Sequence, residues 1–540
     1  MQASDGRQGA IHLPIRRSSR STNLKRSGEA AAVVGVGDNM DITYNVLVRV
    51  GGTLTPLIID TGSSDLWLVS DGCSPRCPAT NVPLYSHASL SPAGQDVSLL
   101  YGDSRTGTHA SGPIGTDTVS IAGLSVDNQF FAAVVDTNTT VLQTGSAGIL
   151  GLGFPPISLI WRQLSAGILN QAMPSYPKRS SLSTESLDAL AGAVSSPSTK
   201  RQERASAPAS AVDTFSTLGP LLTRLVTWEL LERPLVVTTF QRDTVSLSGN
   251  DGTLSLGALP FGLSDDRLTW APVRSYSLAE GGLPPPPDAP NETYPLVWEV
   301  PIDDVYFDGV KLPRSALSSP SITLSALVDT GNSLVRGPQD VLSHIHDQLG
   351  LDAWGTFDCS IPHNLTFQIG DKLFPVDPRD FAHPAPIAPG TAYPAEEARC
   401  TPALAATDPP GVGAFLYSWS LGDPFLKSTM VAFYYGNMTR PSQDPARVGF
   451  MSMVPPDAGS DLEQAVDAAI ANGGVFLSTS EPAPYATAAR LASTMTAADF
   501  PGVTQGSLKT ASGAAPVKGP ELWIVTLIAA FSAGVLSIFP

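Results

Sequence analysis

The chain has 540 residues, of which 42% are hydrophobic and 15% are charged, with 48 glycines and 48 prolines. This composition is typical of a turn-rich globular protein and excludes a collagen, a coiled coil and a wholly disordered chain. Lysine and arginine number 32 against 49 acidic residues, and because the resulting charge of −17 repels phosphate backbones, we expect no nucleic-acid partner.

The first 26 residues are basic and serine-rich, and they lack the apolar stretch of a signal peptide. Because Lys25 and Arg26 form a dibasic pair, we interpret residues 1–26 as the remainder of a pro-segment. Because the other end of the chain carries an anchor signal that acts only on a secreted protein, we expect the true start to lie upstream. The alternative is a disordered basic tail.

From residue 41 onward, short apolar runs rich in β-branched residues alternate with glycine clusters, which predicts a mostly β protein. This pattern is interrupted from about 174 to 211 by a segment rich in Ser, Ala and Pro that contains two dibasic pairs. We predict a surface loop there, which is either simply tolerated or cleaved into a two-chain form.

One tripeptide occurs twice, each time directly after an apolar strand: Asp60-Thr61-Gly62 and Asp329-Thr330-Gly331. An acid at the end of a strand lies at the rim of a sheet, and the glycine allows the backbone to approach closely. The threonine between them can hydrogen-bond inward and fix the loop.

If the two acids come face to face, both cannot ionise at close range, so the pair holds a single proton. One carboxylate can then take a proton from a water molecule while its protonated neighbour polarises a carbonyl group, which is general acid–base hydrolysis of an amide. This chemistry needs no cofactor and no metal, and neither is expected.

The four cysteines form a local pair, Cys73 and Cys77, and a distant pair, Cys359 and Cys400. Two disulfides would use all four, while a metal site is the weaker alternative because no histidine is suitably spaced. Sequons for N-glycosylation occur at Asn138, Asn291, Asn364 and Asn437 and agree with an oxidising secretory route.

Residues 456–521 are rich in Ala, Ser, Thr and Gly, and we predict a stalk there. The uncharged run from Leu522 to Phe539 makes 522–540 a hydrophobic anchor signal. Small residues precede it across a polar spacer, which predicts a GPI anchor at Ser512 or Gly513. A transmembrane helix is the alternative, disfavoured because no cation flanks the run on its cytosolic side. Both place the protein outside the cell membrane.

Over residues 40 to 453 the chain resembles the pepsin-like aspartic proteases, and its processing signals suit a GPI-anchored fungal member. The resemblance rests on both Asp-Thr-Gly motifs, on the apolar segments 148–154 (GILGLGF) and 420–426 (SLGDPFL), and on the late VGFM at 448–451. It implies a bilobal, mostly β fold with a cleft between lobes at 40–245 and 250–455. It also implies Cys73–Cys77 and Cys359–Cys400 disulfides, a zymogen, a monomer, and protein or peptide substrates.

The same resemblance implies a flap over the cleft, with Tyr101 and Gly102 near its tip and Trp67 as the partner of that tyrosine. Ser63 follows the first motif as in the family. Asn332 stands where the second motif usually has Ser or Thr. An amide can still donate to the carboxylate, and we expect the change to alter the split between the two pKa values, and so the acid limb of the pH profile, more than the activity. Asp103 and Arg105 replace the usual small residues of the flap and could bias the substrates accepted.

We therefore expect an aspartic endopeptidase that cleaves extended protein substrates at acid pH and reaches the cell surface through the secretory pathway. The competing hypothesis is a non-catalytic cell-surface binding protein on the same scaffold, since function belongs to the site and not to the fold. Intact copies of both Asp-Thr-Gly motifs favour the enzyme.

Overall fold

The computed structural model of the protein describes residues 31–39, 42–73, 77–102, 107–169, 210–242, 252–385, 398–411, 415–474, 476, 480–481 and 483. Several predictions lie outside these residues: the pro-segment at 1–26, Asp103 and Arg105, the inserted loop up to residue 209, Ser512 and Gly513, and the anchor signal.

The protein is mostly β, as the sequence predicts, and has the bilobal pepsin-like fold. Within the described residues, the N-terminal lobe contains a ten-stranded sheet, one strand of which comes from near the C-terminus. Its strands are Gly37–Asn39, Thr43–Val50, Thr53–Asp60, Leu66–Val69, Ser91–Tyr101, Thr108–Ile121, Leu124–Val134, Asp136–Thr137, Gly148–Gly151 and Ser480–Glu481.

A second sheet joins the two halves of the chain, because strands from both enter it. The strand Leu235–Thr239 pairs antiparallel with Thr429–Tyr434, with Val236 opposite Phe433. The six strands described in this sheet are Ala32–Gly35, Leu235–Thr239, Thr253–Leu256, Thr269–Pro272, Thr429–Tyr434 and Arg447–Ser452.

The C-terminal lobe is built from smaller sheets. In the described part of the chain, a five-stranded sheet contains Glu299–Pro301, Ser325–Val328, Val335–Pro338, Leu404–Thr407 and Trp419–Leu421. A four-stranded sheet contains Asp304–Phe307, Val310–Lys311, Leu365–Ile369 and Lys372–Pro375. The remaining strands form a three-stranded sheet, Phe357–Asp358, Ala382–Pro384 and Arg399–Pro402, and the pair Ser275–Tyr276 with Tyr294–Pro295.

Helices are short and lie around the sheets. The α-helices described are Leu159–Leu169, Phe215–Leu218, Leu221–Thr227, Gln339–Leu349, Pro378–Phe381, Asp423–Ser428 and Ala458–Ala471. The 3-10 helices described are Asp71–Cys73, His87–Ser89, Pro155–Ile157, Ala211–Thr214, Asp265–Arg267 and Leu278–Glu280.

Strand Thr43–Val50 illustrates how the sequence specifies a sheet with one buried face. Tyr44, Val46, Val48 and Val50 are spaced two residues apart, and all four are fully buried in the main core. Successive side chains of a strand point to opposite faces, so this alternation directs one face inward. The β-branched residues also suit the extended backbone.

Aromatic side chains fill the junction between the lobes. Trp298, which is fully buried, lies against Phe154 of the N-terminal lobe, against Phe433 of the joining sheet and against Tyr435 just after that strand, with ring centroids 4.4 to 5.1 Å apart. The Trp298 indole and the Tyr435 hydroxyl both donate to the carbonyl of Leu152, at 3.0 and 2.6 Å. Apolar burial and shared hydrogen bonds therefore join the two lobes.

The segment predicted as a stalk begins with a folded helix, so the sequence-based boundary at 456 differs from the structure. We call Ala458–Ala471 the C-terminal helix. Its residues Leu462, Ala465, Val466 and Ala469 are buried, and they recur at the three- and four-residue spacing of one helical face. After it, the strand Ser480–Glu481 pairs with Gly37–Asn39.

Candidate active site

Each of the two repeated aspartates stands at the carboxyl end of a strand that runs parallel to a second, buried strand. Thr53–Asp60 pairs with Gly148–Gly151, and the N–H of Leu152 donates to the carbonyl of Asp60 at 2.7 Å. Ser325–Val328 pairs with Trp419–Leu421, and the N–H of Asp329 donates to the carbonyl of Leu421 at 3.0 Å. The two apolar segments singled out in the sequence, 148–154 and 420–426, thus pair with the strands that lead to the two acids.

The two threonines of the motifs hydrogen-bond across the boundary between the lobes. The hydroxyl of Thr61 donates to the carbonyl of Val328 at 2.8 Å, and the hydroxyl of Thr330 donates to the carbonyl of Ile59 at 2.8 Å. Each threonine N–H also donates to the other's hydroxyl oxygen at 3.0 Å. Both side chains are buried, so this reciprocal set fixes the two loops against each other.

The glycines of the motifs allow the carboxyl groups to meet. A Cβ atom on Gly62 would lie 2.5 Å from Oδ1 of Asp329, and one on Gly331 would lie 2.4 Å from Oδ1 of Asp60. A side chain at either position would therefore collide with the opposite carboxyl group. With glycine at both positions, the carboxyl groups of Asp60 and Asp329 come close enough for each to affect the pKa of the other.

The two acids receive different hydrogen bonds from their surroundings. Asp60 accepts from the N–H of Gly62 at 2.8 Å and from the hydroxyl of Ser63 at 2.5 Å. Asp329 accepts from the N–H of Gly331 at 3.0 Å. The side-chain amide of Asn332 donates to the hydroxyl of Ser420 at 2.9 Å, whereas Ser63 donates to its neighbouring acid.

This asymmetry decides which acid holds a proton. Burial raises the pKa of Asp60, and the hydrogen bonds from Ser63 and Gly62 oppose that rise. Burial, followed by the charge of Asp60, raises the pKa of Asp329 to about 7. Because donors stabilise the ionised form of Asp60 more than that of Asp329, the pair can hold one proton on Asp329 beside an ionised Asp60.

Tyr101 and Trp67 lie on the N-terminal side of this pair. The indole N–H of Trp67 donates to the Tyr101 hydroxyl at 2.5 Å, and that hydroxyl is also hydrogen-bonded to Ser63. Burial raises the pKa of Tyr101 well above its ordinary value, so the phenol stays neutral. Gly102 follows with a φ of +93°, a conformation that favours glycine at the turn out of the strand.

Asp65 is a buried acid near the site that the sequence interpretation did not single out. It accepts from the Ser158 hydroxyl at 2.5 Å and from the N–H groups of Leu159 and Ile160 at 2.8 and 3.2 Å, at the start of the helix Leu159–Leu169. Burial raises its pKa to about 6. The sequence offered one signal, since Asp65 is an acid directly before the buried strand Leu66–Val69. The groups that bond to Asp65 lie more than 90 residues away, so the sequence could not identify them.

Both predicted disulfides are present, Cys73–Cys77 and Cys359–Cys400. They use every cysteine in the sequence. Among the described residues, no group of His, Cys, Asp and Glu side chains is arranged to hold a metal ion.

The four sequon asparagines differ in exposure. Asn138, Asn291 and Asn364 are exposed, whereas Asn437 is half-buried. The side-chain oxygen of Asn437 accepts from the N–H groups of Thr439 and Arg440 at 3.1 and 2.9 Å.

In the part of the chain that the structure describes, no helix is long and apolar enough to cross a membrane.

Comparison with known proteins gives one family match over most of this fold. A family model described as eukaryotic aspartyl protease matches residues 43–171 and 239–440. Cathepsin E of Mus musculus is 25% identical over 442 residues, which cover 79% of this chain and 85% of its own. Major aspartyl peptidase 1 of Cryptococcus neoformans var. grubii is 22% identical over 466 residues, 83% of this chain and 76% of its own. Rhizopuspepsin-2 of Rhizopus niveus is 37% identical over 163 residues, 29% of this chain and 41% of its own.

Proposed function

Because the chain belongs to the eukaryotic aspartyl protease family and is an aspartic-type endopeptidase, we propose that it hydrolyses extended protein substrates at acid pH through a water molecule held between Asp60 and Asp329. The observation that carries this proposal is that each carboxyl group lies against the glycine of the opposite motif, which brings the two acids together. At acid pH such a pair holds a single proton, which is the state that acid–base hydrolysis requires.

Each aspartate has its own part in the reaction. Asp60, which accepts hydrogen bonds from Gly62 and Ser63, is the base that takes a proton from the water as its oxygen attacks the peptide carbonyl carbon. Asp329 donates its proton to the carbonyl oxygen. When the C–N bond breaks, Asp60 passes its proton to the leaving nitrogen, and the carbonyl oxygen returns the other proton to Asp329, so both acids recover their starting states.

Tyr101 and Trp67 have a supporting part in this proposal. Their hydrogen bond at 2.5 Å ties the end of the strand Ser91–Tyr101 to the wall of the cleft beside Ser63. A hairpin held there would cover the cleft, exclude bulk water and add strand-like hydrogen bonds to the substrate backbone.

The setting of the enzyme is part of the same proposal. Exposure of Asn138, Asn291 and Asn364 and the presence of two disulfides support a glycosylated protein of the secretory pathway. The small residues Ser512 and Gly513 before an apolar tail support a GPI anchor at the cell surface. The protein acts there as a monomer on protein or peptide substrates.

Replacing either aspartate tests the assignment. Asp60→Asn and Asp329→Asn keep the shape of the side chain and remove its acid–base function, so we expect each variant to lose at least about 100-fold in hydrolysis of a denatured protein at acid pH. Unchanged thermal unfolding and circular dichroism would verify that the variants are folded. Asp467→Asn on the exposed face of the C-terminal helix is the matched control and should keep full activity.

Two outcomes count against the proposal. Full turnover by Asp60→Asn would show that the pair is not the catalytic centre. A wild-type protein that binds a statine-type peptide but cleaves no substrate would favour the non-catalytic binding protein instead.

A further inference from the structure

Asn332 uses both ends of its side-chain amide away from the catalytic pair. Its nitrogen donates to the Ser420 hydroxyl at 2.9 Å, while its oxygen accepts from the N–H of Leu334 at 3.3 Å and from Nε of Arg336 at 3.2 Å. Ser63, the residue at the same place in the first motif, donates directly to Asp60. In the second motif, this side chain therefore bonds to Arg336, whereas in the first motif Ser63 bonds to the catalytic acid itself.

The strand Val335–Pro338 orients that arginine. Val335 is buried, and a Cβ atom on Gly337 would meet the ring of Trp419, so these two positions face the core. Arg336, between them, faces the opposite way and lies across from Ser420 in the antiparallel register. Its side chain is half-buried, and its Nη1 also donates to the carbonyl of Ala406 at 3.4 Å. Asn332, whose backbone N–H donates to the carbonyl of Asp329 at 3.3 Å, thus holds the guanidinium beside the turn that carries Asp329.

The charges around Asp329 come from several elements. Asp60, at the end of its own strand, raises the pKa of Asp329, and the guanidinium of Arg336 lowers it. Asp423 begins the helix Asp423–Ser428, and its backbone N–H donates to the carbonyl of Asn332 at 2.8 Å. Asp65 and Tyr101 lie on the far side, beside Asp60. Arg336 is therefore a cation of the C-terminal lobe that acts on Asp329.

We propose that Arg336 is a positioning residue for the reaction: Asn332 holds its guanidinium near Asp329, where its charge replaces the hydroxyl hydrogen bond that Asp60 receives from Ser63. This inference rests on the proposed function. A charge acts over a longer distance than a hydrogen bond, and without direct contact it stabilises an ionised acid less than a donor bonded to that acid does. Asp329 thus remains the acid that keeps the shared proton, with Arg336 limiting the pH up to which it does so.

The test is the pH dependence of kcat/KM, measured on a peptide substrate with the full chain. The basic limb of that profile reports the loss of the shared proton from Asp329. Arg336→Gln removes the cation, so the carboxylate becomes less stable and the basic limb should move to higher pH by about half a unit. Arg336→Lys keeps the charge and should leave the limb within about 0.2 units of the wild type.

A third variant tests the carboxyl group of Asp329 with a hydrogen-bond donor and not with a charge. Asn332→Ser supplies a hydroxyl beside Asp329, as Ser63 does beside Asp60, and also releases the guanidinium of Arg336. Because a donor bonded to the acid outweighs the more distant charge, the basic limb should move to lower pH. Arg314→Gln is the control for lost charge, because Arg314 is exposed on the same lobe and bonds to Asp303 and Asp304. It should leave the profile unchanged.

The outcomes separate the two proposals. If Arg336→Gln and Arg336→Lys lower kcat/KM equally at every pH without moving the basic limb, Arg336 is only structural and the inference is wrong, while the proposed function stands. If the wild type shows no hydrolysis, or Asp60→Asn keeps it, the proposed function fails first and the inference fails with it. Thermal unfolding of each variant verifies that it is folded.

Discussion

Thr61 and Thr330 are the residues on which the geometry of the catalytic pair depends most. Each is buried and takes part in hydrogen bonds that reach 267 to 271 residues along the chain. The sequence predicted that each threonine fixes its own loop; instead, each fixes the opposite one. A local pattern cannot identify such a partner, because two short strands far apart in the chain must first pack together. The hydrogen bonds from Asn332 to Ser420 and from Ser158 to Asp65, which span 88 and 93 residues, were missed for the same reason.

Replacing one threonine tests this dependence. Thr330→Val keeps the shape and removes the hydroxyl, which leaves the N–H of Thr61 and the carbonyl of Ile59 buried without this partner. We expect the free energy of unfolding to fall by roughly 2–4 kcal/mol, since each such group costs about 1–3 kcal/mol. Urea denaturation of the purified chain measures it.

The control for that substitution is Thr118→Val. Thr118 is half-buried, and its hydroxyl donates to Asp127 near the surface, so its loss should cost less than about 0.5 kcal/mol. Equal losses in the two variants would contradict the idea that the crossed threonines join the lobes.

Among the secondary-structure elements, the C-terminal helix departs most clearly from the sequence prediction. Its alanine-rich composition was interpreted as a stalk, although its larger residues follow a helical spacing. Alanine is both common in linkers and the best helix former, so composition alone does not distinguish the two.

The helix is also held by charge: Arg379, which is almost fully buried and bonds Asp377 at 2.7 Å, reaches Asp461 of this helix at 3.0 Å.

Removing that contact should loosen the C-terminal helix. Asp461→Asn leaves the Arg379 guanidinium with one carboxylate fewer in a buried place, so we expect a loss of about 1–2 kcal/mol in the free energy of unfolding. Hydrogen exchange should also become faster in residues 458–471 than in the rest of the lobe. Asp467→Asn, an exposed change of the same kind on the same helix, should have no measurable effect. If both variants match the wild type, the ion pair does not hold the helix.

For the whole molecule, the strand and turn pattern predicted a mostly β protein, and the resemblance carried by the repeated motif implied the two lobes and the meeting of the two acids. It did not predict that strands from both halves would share one sheet, or that Trp298 would lie against Phe154 and Phe433. Those contacts form only when segments far apart in the chain pack together. They matter for function because the catalytic pair lies where the lobes join.

The structure of the protein bound to a statine-type peptide at acid pH is the most direct test of the catalytic pair. The account predicts that the hydroxyl of the inhibitor lies within about 3 Å of carboxyl oxygens of both Asp60 and Asp329, in the place of the attacking water. A hydroxyl that contacts neither aspartate, or aspartates that lie too far apart to share it, would contradict the account.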